Sequence, residues 1–151
     1  MHIIGGGHCA LAFSKLMSSM DFYIRLYEER DGLNTMEQNV YAHEKHLVNS
    51  YADLQNMIPS GVNVFVVIMT FGYRTDDLAL RALMQHSFTY LGVMGSRNKM
   101  EKMFAVYRQE HIAEAVLKKI NSPIGIPIKS QTPEEIALSI AAEIIAVKNA
   151  L

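Results

Sequence analysis

Residues 62–69 form an almost continuously apolar run that is rich in β-branched side chains. Such a run is typical of a strand covered on both faces, as occurs in the middle of a parallel sheet. Shorter β-rich runs at residues 2–4, 22–27 and 88–94 alternate with stretches of helical period. This alternation predicts an α/β fold of the Rossmann type, an open and mostly parallel sheet with helices on both faces.

The chain has the length and composition of one globular domain. It contains 151 residues, of which 50% are hydrophobic and 19% charged, so we expect residues 1–151 to pack as a single domain. The formal net charge of -1 gives no broad attraction to nucleic acid or to an anionic membrane. No signal peptide or long apolar span is recognisable, which predicts a cytoplasmic protein. The one cysteine, Cys9, excludes an internal disulfide and a thiolate metal cage.

The last helix is the most clearly marked element. Thr132 precedes Pro133, and Glu135 follows Thr132 by three residues, which is a capping box with proline at the first helical position. Apolar residues then recur with helical period as far as Val147. Other helices are predicted at residues 9–20, 76–86, 96–110 and 113–119, and a third strand at residues 46–48.

A glycine-rich turn, Gly5-x-Gly7-x-x-Ala10, follows the first strand and opens the first helix. Glycine allows a tight turn and close approach of a diphosphate, and a small third residue allows close packing of helix on sheet. Free N–H groups at the start of the helix favour an anion. His8 either touches a bound phosphate or is a neutral hydrogen-bonding histidine, and a small buried residue is the favoured interpretation of Cys9. The candidate cofactor-binding residues here are Gly5, Gly6, Gly7, His8, Cys9 and Ala10.

Two further candidates follow the second strand, and one follows the most buried strand. Glu28 and Glu29 lie about twenty residues beyond Gly7, where dinucleotide-binding folds place the carboxylate that binds ribose hydroxyls. The alternative is that Glu28 is a solvated surface charge and the glycines serve only packing. Thr70 begins a loop at a strand carboxyl end, where ligands collect in such sheets. Asp76, in the same loop, is interpreted equally well as a helix cap or as a functional carboxylate.

A second candidate anion site follows the strand at residues 88–94. Ser96 can cap the next helix, and Arg97 and Lys99 lie near its positive end, where cations gain nothing from the helix dipole. An anion held between them would account for their presence, and a solvated basic patch is the alternative. With Gly95, these residues are expected to face the same crevice as the glycine turn.

Three separated stretches together resemble the XdhC/CoxI family, the accessory factors of xanthine dehydrogenase and related molybdenum hydroxylases. The stretches are residues 5–10, 90–99 and 123–146, and the resemblance covers nearly the whole chain as the C-terminal Rossmann domain of that family. It implies an accessory protein that binds molybdenum cofactor, supports its sulfuration and helps to deliver it to the hydroxylase. The residues that carry over are Gly5, Gly7, His8, Glu28, Gly95, Ser96, Arg97, Lys99, Pro123 and Gly125.

The chain departs from the family pattern in two places. Members usually have an additional N-terminal domain with a cysteine motif, whereas this sequence begins at the Rossmann strand. The loop after Thr70 often bears histidines in the family, and here it has Phe71 and Tyr73. The resemblance implies a xanthine dehydrogenase-type hydroxylase as a partner. The two departures leave three interpretations open, namely a chain that works with a separate protein of the N-terminal type, a divergent homologue, or a truncated product. Homo-oligomerisation is also open.

Three functions remain open from the sequence. The first is an accessory protein, without turnover of its own, that binds molybdenum cofactor or a nucleotide. The second is an NAD(P)-dependent oxidoreductase, in which Glu28 would favour NAD because a carboxylate repels a ribose phosphate. No convincing catalytic acid or base stands late in the chain to support it. The third is a non-catalytic Rossmann interaction module. His43 and His46 lack a third ligand, so no metal site is predicted.

Overall fold

The computed structural model describes residues 1–151 and contains one six-stranded sheet in which every pair of neighbouring strands is parallel. The strands are β1 (His2–Ile4), β2 (Arg25–Glu28), β3 (Glu44–Leu47), β4 (Gly61–Ile68), β5 (Phe88–Val93) and β6 (Ile120–Asn121). Their order is β3-β2-β1-β4-β5-β6, so the direction of winding reverses between β1 and β4. The predicted Rossmann-type α/β fold is confirmed.

Six α-helices connect the strands or follow them. They are α1 (His8–Met17), α2 (Asn34–Glu37), α3 (Tyr73–Leu83), α4 (Arg97–Gln109), α5 (Glu114–Leu117) and α6 (Pro133–Asn149), with a 3-10 helix at Tyr51–Asn56. None of them combines the length and apolarity that crossing a bilayer requires.

The sheet separates two apolar cores, one on each face. Successive residues of β1 and β4 point to opposite sides, so Ile3 and Val67 belong to one core while Ile4 and Val66 belong to the other, and all four are fully buried. One core includes residues of α1 and α6, and the other includes residues of α3 and α4. The apolar run predicted from the sequence lacks polar alternation because both faces of the central strand are covered.

The main differences from the predicted elements lie at their ends. α3 begins at Tyr73, ahead of the predicted start at Asp76, because Gly72 takes the N-cap position. The hydroxyl of Thr75 accepts a hydrogen bond from the Gly72 N–H at 3.2 Å and holds this turn closed. Asp76 is therefore not the cap, and it lies buried in the first turn of the helix. The third strand also begins earlier than predicted, at Glu44.

The predicted start of α6 is confirmed. The Thr132 hydroxyl accepts a hydrogen bond from the Glu135 N–H at 3.2 Å, and the Glu135 carboxylate accepts one from the Thr132 N–H at 3.1 Å. Pro133 occupies the first turn, where its missing N–H costs no intrahelical bond. α6 packs beside α1, so this cap supports the helix that begins at the glycine turn.

Candidate functional site

A cleft of about 770 Å³ opens at the carboxyl ends of β1, β2 and β4. Its lining comes from four segments, namely the start of α1, the region from the loop after β2 through α2, the loop after β4, and Met94 directly after β5. This position is where the strand order reverses, the usual ligand crevice of an open parallel sheet. We call it the switch-point cleft.

The first turn of α1 presents unpaired backbone donors to this cleft. The N–H groups of Gly7, His8, Cys9 and Ala10 have no acceptor within the protein, and the N-cap residue Gly7 has no capping side chain. Gly7, His8 and Cys9 line the cleft. A Cβ on Gly7 would meet no atom within 4 Å, so the absence of a side chain leaves open space at the helix start. Unpaired amides at the positive end of a helix suit a phosphate group.

The other small residues of the turn shape its backbone. Gly5 has a φ of +104°, and a Cβ there would lie 2.4 Å from the carbonyl oxygen of Met69, so only glycine fits. The Gly6 carbonyl accepts a hydrogen bond from the Thr35 hydroxyl at 2.6 Å. Ala10 is 1% exposed and packs into the core beneath the helix. These three predicted site residues hold the turn in place, and the cleft itself is lined by their neighbours.

Glu28 is buried and its carboxylate is fully engaged by the protein. Oε2 accepts hydrogen bonds from the Gly6 N–H at 2.8 Å and from Nη2 of Arg30 at 3.0 Å. Oε1 accepts from the Tyr51 hydroxyl at 3.0 Å and from the N–H of Glu29 at 2.9 Å, and also from the backbone N–H and Nε of Arg30. A carboxylate has about four acceptor sites, so none is left for a ribose hydroxyl unless one of these donors is released.

The same hydrogen bonds fix the ionisation of Glu28. Burial by itself raises the pKa of this carboxyl, but the hydrogen bonds from Arg30 and Gly6 outweigh burial and lower the pKa to about 2. Glu28 is therefore an anion at neutral pH, and its charge is compensated by the Arg30 guanidinium. The neighbouring Glu29 turns to the 3-10 helix, where its carboxylate accepts a hydrogen bond from the Tyr51 N–H at 2.9 Å.

The two side chains at the start of α1 differ in their surroundings. His8 is exposed at the cleft rim, and Cys9 is half-buried. Burial, and to a lesser extent the carboxylate of Glu134, raises the pKa of the Cys9 thiol. A raised pKa keeps the thiol protonated at neutral pH, which fits a small packing residue better than a nucleophile.

The cleft also contains an aromatic–cation pair that connects two loops. The guanidinium carbon of Arg30 lies 5.2 Å from the centroid of the Phe71 ring, and both side chains line the cleft. Phe71 is nevertheless 82% exposed. Sequence reasoning placed Phe71 in a candidate ligand-contacting loop and noted it as a departure from the family. It did not predict the contact with Arg30, because nothing in the local pattern shows that the loops after β2 and β4 meet.

Thr70, at the cleft wall, belongs to a buried polar network that sequence reasoning also missed. The Asp76 carboxylate accepts hydrogen bonds from the backbone N–H of Thr70 at 3.0 Å and from its hydroxyl at 2.5 Å. Nζ of Lys99 forms an ion pair with Asp76 and donates a hydrogen bond to the carbonyl of Met94 at 3.1 Å. The anion beside Lys99 is thus the protein's own carboxylate, which corrects the interpretation that Lys99 and Arg97 hold a ligand between them.

The expectation that the glycine turn and the segment from Ser96 to Lys99 face one crevice is wrong for Arg97. Arg97, the first residue of α4, lines a separate groove with Arg108 and Pro123. Lys99, in the same turn, contacts the carbonyl of Met94, a residue that lines the switch-point cleft. The Ser96 hydroxyl caps α4 by accepting a hydrogen bond from the Lys99 N–H at 3.1 Å, as predicted.

Two glycines among the candidate residues also lie outside the switch-point cleft. Gly95 lines a different cleft beside Ile124. Gly125 has a φ of +94°, and a Cβ there would lie 2.3 Å from the Ser139 hydroxyl, so this glycine serves close packing against α6.

The parallel sheet in this order, with an open cleft and unpaired helix-start amides at its switch point, defines a Rossmann-type domain suited to an anionic ligand. Its family follows from comparison with known proteins. The chain belongs to the XdhC family, since the model of the XdhC Rossmann domain matches residues 1–144.

Three known proteins are similar to this chain in sequence or in structure. The uncharacterized protein YqeB of Escherichia coli K12 is 29% identical over 150 residues, which are 97% of this chain and 27% of YqeB. A probable xanthine dehydrogenase subunit of Bacillus subtilis 168 is 30% identical over 79 residues, 52% of this chain and 22% of that protein. A crystal structure described as a xanthine dehydrogenase from Bacillus halodurans superposes with a TM-score of 0.83 at 26% identity, covering 99% of this chain and 42% of that one. The chain therefore corresponds to a minor part of each of these longer proteins.

Proposed function

We propose that this domain is a cofactor-binding accessory module for molybdenum hydroxylases of the xanthine dehydrogenase type. In this proposal it holds molybdenum cofactor or a nucleotide by a phosphate group during maturation or insertion of the cofactor, in the cytoplasm. Membership of the XdhC family and the names of two similar proteins support the connection with xanthine dehydrogenase. The observation that carries the binding proposal is the set of four unpaired amides at the start of α1, in the switch-point cleft.

The residues of the cleft fit a phosphate-bearing guest. Phosphate oxygens accept hydrogen bonds only, and the N–H groups of Gly7 to Ala10 donate them at the positive end of a ten-residue helix. Molybdenum cofactor, when bound, supplies the redox centre that a hydroxylase needs. This chain contributes binding and orientation, and Met69 and Met94 give the cleft an apolar wall that can exclude water from the guest.

Replacement of Gly7 by leucine tests this proposal. The backbone at Gly7 has a φ of -78°, which any residue adopts, and a Cβ there meets nothing within 4 Å, so Gly7→Leu should leave the folded state intact. The leucine side chain would fill the space above the amides and lower the affinity for anaerobically prepared molybdopterin by about tenfold or more. Isothermal titration calorimetry measures this loss.

Gly72→Leu provides the matched control. Gly72 is also the N-cap of a helix, and a Cβ there also meets nothing within 4 Å, but it does not line the switch-point cleft. Full retention of molybdopterin affinity in Gly72→Leu with loss in Gly7→Leu is the expected result. Equal affinity in both variants and in the original protein would contradict phosphate binding at the glycine turn.

The accessory role is tested separately by transfer. We expect the cofactor-loaded domain to raise the activity of a cofactor-free xanthine dehydrogenase-type hydroxylase faster than free molybdopterin at the same concentration does. The Gly7→Leu variant, mixed with the same amount of molybdopterin, should give the rate of free molybdopterin. If the original domain gives no acceleration over free molybdopterin, the delivery role is contradicted even where binding holds.

A further inference from the structure

Phe71 is a largely exposed aromatic residue at the edge of the switch-point cleft. Its side chain is 82% exposed, although it lines the same cleft as the unpaired amides of α1. One face of the ring lies against the guanidinium of Arg30 at 5.2 Å, so the high exposure means that the other face is open. An open aromatic face inside a ligand cleft is a surface on which a planar group can stack.

Both neighbours of Phe71 in the chain are held by the protein. The backbone N–H of Thr70 donates to the carboxylate of Asp76 at 3.0 Å, and the backbone N–H of Gly72 donates to the hydroxyl of Thr75 at 3.2 Å. Asp76 is itself buried and paired with Lys99. The loop therefore presents the ring from a fixed backbone, which lowers the entropy that a ligand would lose by ordering it.

Arg30 is fixed just as firmly on the other side of the ring. Its Nε and Nη2 donate to the two oxygens of the buried Glu28 carboxylate at 3.1 Å and 3.0 Å. A guanidinium held by this two-point contact cannot rotate freely, so its plane gives Phe71 a stationary support. Glu28, which sequence reasoning assigned to ribose binding, thus orients the support of a stacking surface.

We propose that Phe71, supported by Arg30, is the stacking surface for the planar nitrogen heterocycle of the phosphate-bearing cofactor. The proposal rests on the proposed function, because it requires the phosphate of the same molecule to lie at the start of α1. The heterocycle is either a nucleobase or a pterin, since both have a flat face for stacking and can carry a phosphate. Phe71 offers a flat, polarisable ring a stacking contact that a simple anion, which has no ring, does not gain.

Three probes that share a diphosphate separate stacking from phosphate binding. They are inorganic pyrophosphate, ADP and 6-hydroxymethylpterin diphosphate, and each is titrated calorimetrically into the full chain and into Phe71→Ala. We expect at least one heterocyclic probe to bind about tenfold more tightly than pyrophosphate, and Phe71→Ala to remove that advantage while leaving pyrophosphate affinity unchanged. The probe that loses affinity identifies whether the heterocycle is a nucleobase or a pterin.

Tyr73→Ala is the matched control, because Tyr73 is another exposed aromatic residue of the same region that does not line the switch-point cleft. It should bind all three probes as the original protein does. A fluorescence measurement gives a second readout, since the chain has no tryptophan. Phe71→Trp introduces a single reporter whose emission the stacked heterocycle should quench, whereas Tyr73→Trp should show no quenching.

The outcomes distinguish this proposal from the proposed function. If the heterocyclic probes keep their advantage in Phe71→Ala, or never exceed pyrophosphate, stacking on Phe71 is overturned while phosphate binding at the glycine turn stands. If none of the three probes binds, both proposals are overturned.

Discussion

At the scale of single residues, Glu28 connects the parts of the candidate site. Its carboxylate receives donors from the glycine turn, from Arg30 and from the 3-10 helix, so one buried anion sets the positions of three segments. The carboxylate itself is buried, and its charge is compensated by Arg30, whose own side chain is partly exposed. Removing the charge therefore affects the shape of the cleft as well as stability.

We expect Glu28→Gln to lower the free energy of unfolding by about 2–3 kcal/mol, because the amide leaves buried donors without an anionic acceptor and frees the Arg30 charge. The value is below that of a fully buried pair, since solvent reaches Arg30. Urea denaturation measures the change. Glu29→Gln is the control, and it should cost less than about 1 kcal/mol because its carbonyl oxygen can still accept from the Tyr51 N–H. Equal losses in the two variants would contradict a special role for Glu28.

At the scale of elements, the site depends on how α1 is held. α1 carries the unpaired amides, and it packs against α6 in one of the two cores. α6 begins at a cap in which Thr132 and Glu135 exchange hydrogen bonds. The start of α6 therefore contributes to the position of α1, although it lies outside the cleft.

Loss of the α6 cap should be measurable in stability. Thr132→Ala removes the acceptor of the Glu135 N–H, and we expect the free energy of unfolding to fall by about 1 kcal/mol. Thr132→Ser keeps the hydroxyl and should remain within about 0.5 kcal/mol of the original protein. Chemical denaturation followed by circular dichroism tests both values. A serine variant as unstable as the alanine variant would show that the methyl group, and not the cap, matters at this position.

The elements also show what the sequence can predict and what it cannot. The apolar run of β4, the glycine turn and the α6 cap depend on neighbouring residues, so local patterns identify them. The pairing of Lys99 with Asp76, and of Arg30 with Phe71, joins segments that are far apart in the chain. No local pattern encodes such contacts, which is why Lys99 was predicted to face a ligand. The start of α3 was predicted too late because Gly72, a residue without a side chain, occupies the N-cap.

At the scale of the whole molecule, the balance of buried ionisable groups predicts sensitivity to acid. His2 is buried at the sheet centre, where Nδ1 lies 2.9 Å from the Tyr27 hydroxyl. Burial, followed by the nearby N-terminal ammonium and Arg25, lowers the pKa of His2 from 6.5 to about 4. The unfolded chain therefore binds a proton at a higher pH than the folded protein does, so stability decreases as the pH falls.

His2 and Glu28 affect the stability of the protein in two different pH ranges. The contribution of His2 is present above pH 6.5 and is lost as the pH falls toward the folded pKa of about 4. The contribution of Glu28 is present above pH 4.5 and is lost as the pH falls toward the folded pKa of about 2.

We expect His2→Phe to flatten the dependence of melting temperature on pH in the upper window only, between about pH 6.5 and pH 4. A steep upper window in His2→Phe would contradict this assignment.

The small molecules that the protein carries after purification show whether the open amides of α1 hold a cofactor. Mass spectrometry of small molecules released from gently and anaerobically purified protein should detect a phosphate-bearing heterocycle from the original chain and from Gly72→Leu. The same molecule should be missing from Gly7→Leu. Absence of any such molecule from all three proteins, or equal amounts from all three, would contradict the claim that the open amides of α1 hold the phosphate of a cofactor.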